Sequence, residues 1–165
     1  MKKTLQILGV FIALIVLTSN PIKAQSYKTA IGLRLGYPLS VSIKHFLSDK
    51  NAIEGFAGFR SYSGYSWRNV GGLYQMHNPI PDIGGLKWYW GAGASVYFWS
   101  YKNGFAFGDS GKTSLALLGN LGLDYKLENT PLNISLDWVP AFFVNGYSSG
   151  FGGGYGALSV RYVLN

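Results

Sequence analysis

The chain has 165 residues, one domain's worth. It is 48% hydrophobic and 16% aromatic, holds 23 Gly, and is only 13% charged, about half the usual charged fraction. A soluble globule with so few charges is short of groups to cover its surface, whereas aromatics and Gly suit strands that meet lipid on one side. With no Cys, a disulfide-stapled domain, a thiolate zinc site and a lipidated N-terminal Cys are excluded.

The formal charge of +7 overstates the basicity, because Lys2, Lys3 and Lys23 fall in a segment expected to be removed. No Lys/Arg run remains, so nucleic acid is not an expected partner. Met1-Lys2-Lys3 is a positive start, Leu5 to Leu17 is nearly all apolar, and a polar stretch through Pro21 ends at Ala24-Gln25. This three-part layout is that of a helical signal peptide spanning 1–24, with cleavage after Ala24 and export through the Sec pathway. The competing reading, an uncleaved anchor, needs about 20 apolar residues. No later segment is long and apolar enough for a spanning helix. A membrane location for residues 25–165 therefore requires a closed sheet, the other way to satisfy backbone groups in lipid.

From Tyr27 onward the chain alternates with period two, so parity assigns faces. The first strand, 27–37, sets Tyr27, Thr29, Ile31, Leu33, Leu35 and Tyr37 outward, with a Tyr at each end as a girdle, and Lys28 and Arg34 inward. Pro38 marks a tight turn. The second strand, 39–47, puts Leu39, Val41, Ile43 and His45 opposite Ser40, Ser42 and Lys44. After a turn at 48–51, the third sets Ile53, Ala57 and Phe59 against Glu54, Phe56 and Arg60. Ser61 to Trp67 reads as a loop. The fourth strand, 68–76, has no clearly polar face, and the two prolines of 78–82 bar a central strand there. The fifth, 86–101, opposes Trp88, Trp90, Val96 and Phe98 to Lys87, Tyr89, Gly91 and Gly93. A Gly/Lys loop covers 102–112. The sixth, 115–126, carries Asp124 and Lys126 on its polar face. A turn at 128–131 leads to the seventh, with Asp137 inward and an outward face from Leu132 to Phe142. A Gly/Ser loop at 145–154 leads to the eighth, with Arg161 inward and Leu158, Val160 and Tyr162 outward.

These features predict an all-β fold: an eight-stranded antiparallel up-and-down transmembrane β-barrel. A soluble β-sandwich also alternates, but its polar face would carry charges freely. Here that face is mostly Gly, Ala and Ser with isolated charges, as in a crowded interior. The turns at 48–51, 77–85 and 127–131 are expected on the periplasmic side, and the connections at 37–39, 61–67, 102–112 and 145–154 outside.

Ten charges share the inward face: Lys28, Arg34, Lys44, Glu54, Arg60, Lys87, Asp124, Lys126, Asp137 and Arg161. An eight-stranded barrel is narrow enough for side chains to fill, so these residues are expected to form a structural ion-pair network. A narrow path for small solutes is the alternative. Catalytic signals are thin. His45 has the opposite parity to Ser40 and Ser42, so no Ser/His pair forms there. The Gly150–Gly156 string lacks the closing Lys-Ser/Thr of a phosphate loop. No metal-ligand spacing occurs. No enzyme activity, cofactor or metal is expected, with lipid A modification the enzymatic alternative. Tyr62, Tyr65 and Tyr147 are candidate external contact points.

The stretches Gly72-Leu73-Tyr74-Gln75, Trp88-Tyr89-Trp90-Gly91-Ala92-Gly93-Ala94, Leu123-Asp124-Tyr125-Lys126 and Ile134-Ser135-Leu136-Asp137-Trp138-Val139-Pro140 are similar to those of small Bacteroidetes outer-membrane β-barrel proteins of the OmpA/OmpW-like barrel superfamily. The resemblance covers essentially all of 26–165. It implies a Gram-negative outer-membrane location, with outer-membrane lipid and the barrel assembly machinery as partners, and is nearly uninformative about activity; the structural or surface-interaction role is expected from the filled lumen and the aromatic loops. It implies no particular ligand. Such barrels often end in an aromatic residue; this chain ends Val163-Leu164-Asn165, with Tyr162 and Leu164 keeping outward parity.

Overall fold

The computed structural model describes residues 27–101, 113–144, 150–152 and 155–164. The expected signal peptide, most of the segment between the fifth and sixth strands, and Tyr147 lie outside them.

Ten strand segments form one antiparallel sheet: β1 (Thr29–Tyr37), β2 (Leu39–Phe46), β3 (Asn51–Ser61), β4 (Tyr65–Pro79), β5 (Leu86–Tyr101), β6 (Thr113–Lys126), β7 (Leu132–Trp138), β8 (Ala141–Phe143), β9 (Gly150–Gly152) and β10 (Gly156–Val163). The order β5-β4-β3-β2-β1-β10-β7-β6 closes through pairing of β6 with β5. β8 continues β7 along β6 in the same register, as Leu121↔Trp138 and Leu118↔Ala141 show. The break falls at Pro140, which has no N–H to donate, although its carbonyl still accepts from Gly119 N at 2.9 Å. β9 pairs with β8 and continues β10. The molecule is thus an eight-staved, closed, up-and-down barrel, the pairing of β5 with β6 covering what would be the two edges of an open sheet.

One end carries the turns at 47–50, 80–85 and 127–131 (the turn end), and the other carries the β1–β2 hairpin apex and the connection at 62–64 (the loop end). Gly85 shows why the second turn needs a glycine. Its φ is +77°, and a Cβ there would lie 2.7 Å from the Lys126 carbonyl oxygen.

Strand boundaries differ from the sequence reading in three places. β4 begins at Tyr65, inside the stretch read as a loop, because Ser61↔Ser66 and Arg60↔Trp67 carry the ladder onward. Its other end runs on to Pro79, opposite Lys87, so the strand enters the proline segment and stops where a missing donor costs least. On the last stave, Trp138↔Gly156 and Ala141↔Gly152 match three steps on one strand to four on the other. The extra residue reverses parity, so Phe151 and Leu158 both face out.

Parity sorts the strands as alternation requires. Outward side chains such as Leu33, Val41, Val70, Trp90, Leu117 and Leu136 are about half exposed, while inward polar residues such as Arg34, Ser42, Asn69, Asn120 and Asp137 are buried. The first strand's two tyrosines are corrections. The chain bends at Lys28, so Tyr27 turns inward, edge-on to Phe46 at 4.9 Å, and Lys28 is exposed. Tyr37 lies at the apex of the β1–β2 hairpin, past the last Arg34↔Ser40 pair, where strand parity lapses. It folds over the mouth against Trp67 at 5.9 Å and Tyr155 at 5.3 Å.

Candidate functional site

The candidate site is the filled lumen, which has two layers. The first is ionic, and each charged member comes from a different strand. Glu54 on β3 is its hub. Arg34 Nη1 donates to Glu54 Oε1 at 2.8 Å, and Arg34 Nη2 reaches Asp137 Oδ1 at 2.9 Å. Arg161 Nη2 also donates to Glu54 Oε1. Lys44 Nζ lies 3.8 Å from Glu54 Oε2 and 3.0 Å from Asp124 Oδ2. Three cations meet three carboxylates, so the layer is formally neutral.

Neutral groups complete the layer. Gln75 Nε2 donates to Glu54 Oε2 at 2.8 Å. Asn133 Nδ2 donates to Asp124 Oδ1 at 2.8 Å, Tyr27 Oη to Asp124 Oδ2 at 3.1 Å, and Tyr89 Oη to Asp137 Oδ2 at 2.9 Å. Arg161 is further held by Ser135 Oγ at 2.7 Å and Ser42 Oγ at 3.1 Å. Lys44 Nζ also stands over the Tyr89 ring, 4.4 Å from its centre. Lys44 and Arg161 are completely buried, each with 0% exposure. Charges taken from water are tolerable only when paired and hydrogen-bonded to this extent.

Inward glycines make the layer possible. Gly32 lies between Ser42 and Arg161 in the register, and Gly122 between Tyr89 and Asp137. In each case the two flanking side chains bond across the bare position. A Cβ on Gly122 would lie 2.8 Å from Tyr89 Oη.

The second layer is aromatic and lies toward the loop end. Trp67 and Tyr97 are buried, their rings 5.2 Å apart, and Tyr97 also packs on Phe143 at 5.1 Å. Trp99 and Tyr155 pack against the same group. Above this layer Arg60 stands over the rings of Tyr37 at 4.7 Å and Tyr62 at 5.3 Å. Tyr62 stacks on Tyr65 and donates to Tyr37 Oη at 3.0 Å. Two of the three tyrosines expected as external contact points are therefore engaged within the barrel mouth.

Of the ten charged residues singled out in the sequence, Arg34, Lys44, Glu54, Asp124, Asp137 and Arg161 come together. The other four stand apart. Lys28 is exposed beyond the bend; Arg60 is in the aromatic mouth. Lys87 lies over Phe46 at 5.1 Å, with Nζ 3.4 Å from the Asp49 carbonyl. Lys126 donates to the carbonyls of Leu127, at 2.8 Å, and Thr130. Strand ends let long side chains reach backbone carbonyls or solvent instead of the centre.

Sequence reasoning missed the neutral members Gln75, His77, Asn120 and Asn133. His77 is buried between Phe46 and Tyr89, each 4.7 Å away ring to ring, with Nε2 4.0 Å from Asp124 Oδ2. The odd-numbered run Asn69, Leu73, Gln75 and His77 was the available signal for the inward face of β4.

Among solved structures, the fold is similar to a crystal structure of Neisserial surface protein A, with a TM-score of 0.55 and 17% identity over 82% of this chain and 93% of that one. No protein-family model matches the chain, and no curated protein matches it. The likeness extends to the fold: a small, closed, eight-stranded barrel.

Proposed function

We propose that the protein is an integral outer-membrane barrel with a structural or surface-interaction role, and that its lumen is sealed rather than conducting. One observation carries the membrane reading. The barrel's outward face is a continuous apolar surface, with Ile31, Leu33, Val41, Val70, Trp90, Leu117, Leu136 and Val160 among its exposed members. Soluble monomers rarely expose contiguous apolar patches beyond a few hundred Å², while a bilayer demands such a belt. The fold-level likeness to a surface protein supports the same reading.

Sealing is argued from the lumen. Lys44 and Arg161 are buried and already paired with Glu54, and Trp67, Tyr97 and Phe143 fill the section toward the loop end. An ion crossing this barrel would have to break several charge-assisted bonds at once. In this reading the protein is non-enzymatic, its partners are outer-membrane lipid and the barrel assembly machinery, and residues 1–24 direct export. The chain's similarity to Bacteroidetes barrels fits that setting.

Cell fractionation tests the location: heat-modifiable gel migration in the outer-membrane fraction is expected, and recovery as a soluble periplasmic protein overturns it. Planar-bilayer recordings test the seal, with no unitary conductance expected.

A further inference from the structure

Arg68 stands out on the barrel exterior. Among the described strand residues it is the charged side chain that alternation turns outward, and it is exposed. It makes no hydrogen bond or ion pair among the described residues. Its cross-strand neighbours are Phe59 and Phe98, both about half exposed, and Thr113 follows Phe98 in the same row.

The rows on either side give Arg68 a depth. One step toward the barrel's middle the outward row is Ala57, Val70, Val96 and Leu115, wholly apolar. One step toward the loop end it is Ser61, Ser66 and Ser100, all hydroxyls. Arg68 and its two Phe neighbours therefore sit where hydrocarbon gives way to headgroups. An outward Arg costs about 2–4 kcal/mol at mid-bilayer and about 0–1 near the interface, so this row is where one can be held.

We propose that Arg68 binds the phosphate of an anionic lipid in the leaflet at the loop end, with the lipid's chains lying over Phe59 and Phe98. This rests on the membrane reading above. A guanidinium offers a planar fork of donors that matches phosphate oxygens in pairs. The serine hydroxyls one row above add donors at headgroup height. The aromatic floor favours a lipid over free phosphate, because only a lipid covers Phe59 and Phe98 while its phosphate meets Arg68.

The test uses the protein refolded into phosphatidylcholine vesicles, then transferred to neutral detergent for native mass spectrometry. Phosphatidylglycerol, phosphatidylcholine and inorganic phosphate are titrated separately. Wild type is expected to retain phosphatidylglycerol in preference to phosphatidylcholine, with inorganic phosphate failing to displace it. Arg68→Gln is expected to lower phosphatidylglycerol occupancy about tenfold, the loss of one charge-assisted bond, and Arg68→Lys to keep part of it. Heat-modifiable migration verifies that both variants are folded. Equal phosphatidylglycerol occupancy in wild type and Arg68→Gln overturns the proposal, as does displacement by inorganic phosphate. Failure of wild type to enter vesicles at all overturns the membrane reading beneath it, and is distinct from equal occupancy in a protein that inserts.

Discussion

Gln75 and Asn120 lie on strands that are not neighbours, yet Gln75 Nε2 donates to Asn120 Oδ1 at 2.8 Å. β5 runs between them, and at that height it contributes Gly91, paired with Gln75 on one side and Asn120 on the other. The bond spans two inter-strand spacings, about 9–10 Å of sheet, because the intervening residue has no side chain. A Cβ on Gly91 would lie 2.2 Å from the Tyr74 carbonyl oxygen and 3.1 Å from Gln75 Cα.

Gly91→Ala is therefore expected to destabilise the folded barrel by about 1–3 kcal/mol through overpacking. Gly72→Ala is the control. Gly72 faces out, and its nearest atom to an added Cβ is the Glu54 carbonyl oxygen at 3.9 Å, so its effect should stay within about 0.5 kcal/mol. Urea unfolding in vesicles, followed by heat-modifiable migration, compares the two. Equal midpoints would show that the inner wall has slack that the packing does not suggest.

Glu54→Gln should be far more costly. It leaves Arg34, Lys44 and Arg161 facing two carboxylates in a dry interior, a loss of about 3–5 kcal/mol. The double variant Glu54→Leu/Arg161→Met removes one charge of each sign and should fall well short of the sum of its single changes. A double-mutant cycle on unfolding free energies reads this directly. Strict additivity would mean that the two residues do not act as a pair.

Trp67→Ala is expected to destabilise by about 3–5 kcal/mol, since the ring is 1% exposed and anchors the aromatic layer. It should nonetheless leave the barrel non-conducting, because the ionic layer below is untouched. Bilayer recordings on the refolded variant check this, and unitary openings would relocate the seal to the aromatic layer.

Leu33→Arg places a charge on the lipid face midway along β1 and should cost about 2–4 kcal/mol for folding into bilayers. Phe151→Arg, at the loop end, should cost about 0–1 kcal/mol. Similar costs at both positions would argue against a bilayer around the barrel.

The strand count and most faces were legible in the sequence because lipid outside and a crowded lumen inside leave a period-two contrast at nearly every position. The contrast fades where the lumen itself is apolar. β4 sends Trp67 and Leu73 inward among Asn69, Gln75 and His77, which blurs the contrast between its faces, and its Ser/Gly-rich start has the composition of a loop. Tyr27 and Tyr37 depart from the parity of their strand because regular strand geometry ends at the Lys28 bend and the hairpin apex. The charged residues could be collected by face, but which cation meets which carboxylate depends on register between strands distant in sequence. Arg60, Lys87 and Lys126 share the inward parity of Arg34 and Lys44, and their height along the barrel separates them from the cluster.

That dependence bears on assembly. Arg161 belongs to β10, the last stave, and reaches Glu54 across 107 positions of sequence; Arg34 reaches Asp137 across 103, and Lys44 reaches Asp124 across 80. Until β10 seats against β1, Glu54 lacks one of its guanidinium partners, and the unfinished sheet keeps its polar face open to water. Drying the interior and pairing its charges are thus one event. A sheet joined in the wrong register would bury ions without their partners, at a cost of several kcal/mol each, so the residues that fill the finished lumen also favour one register of closure.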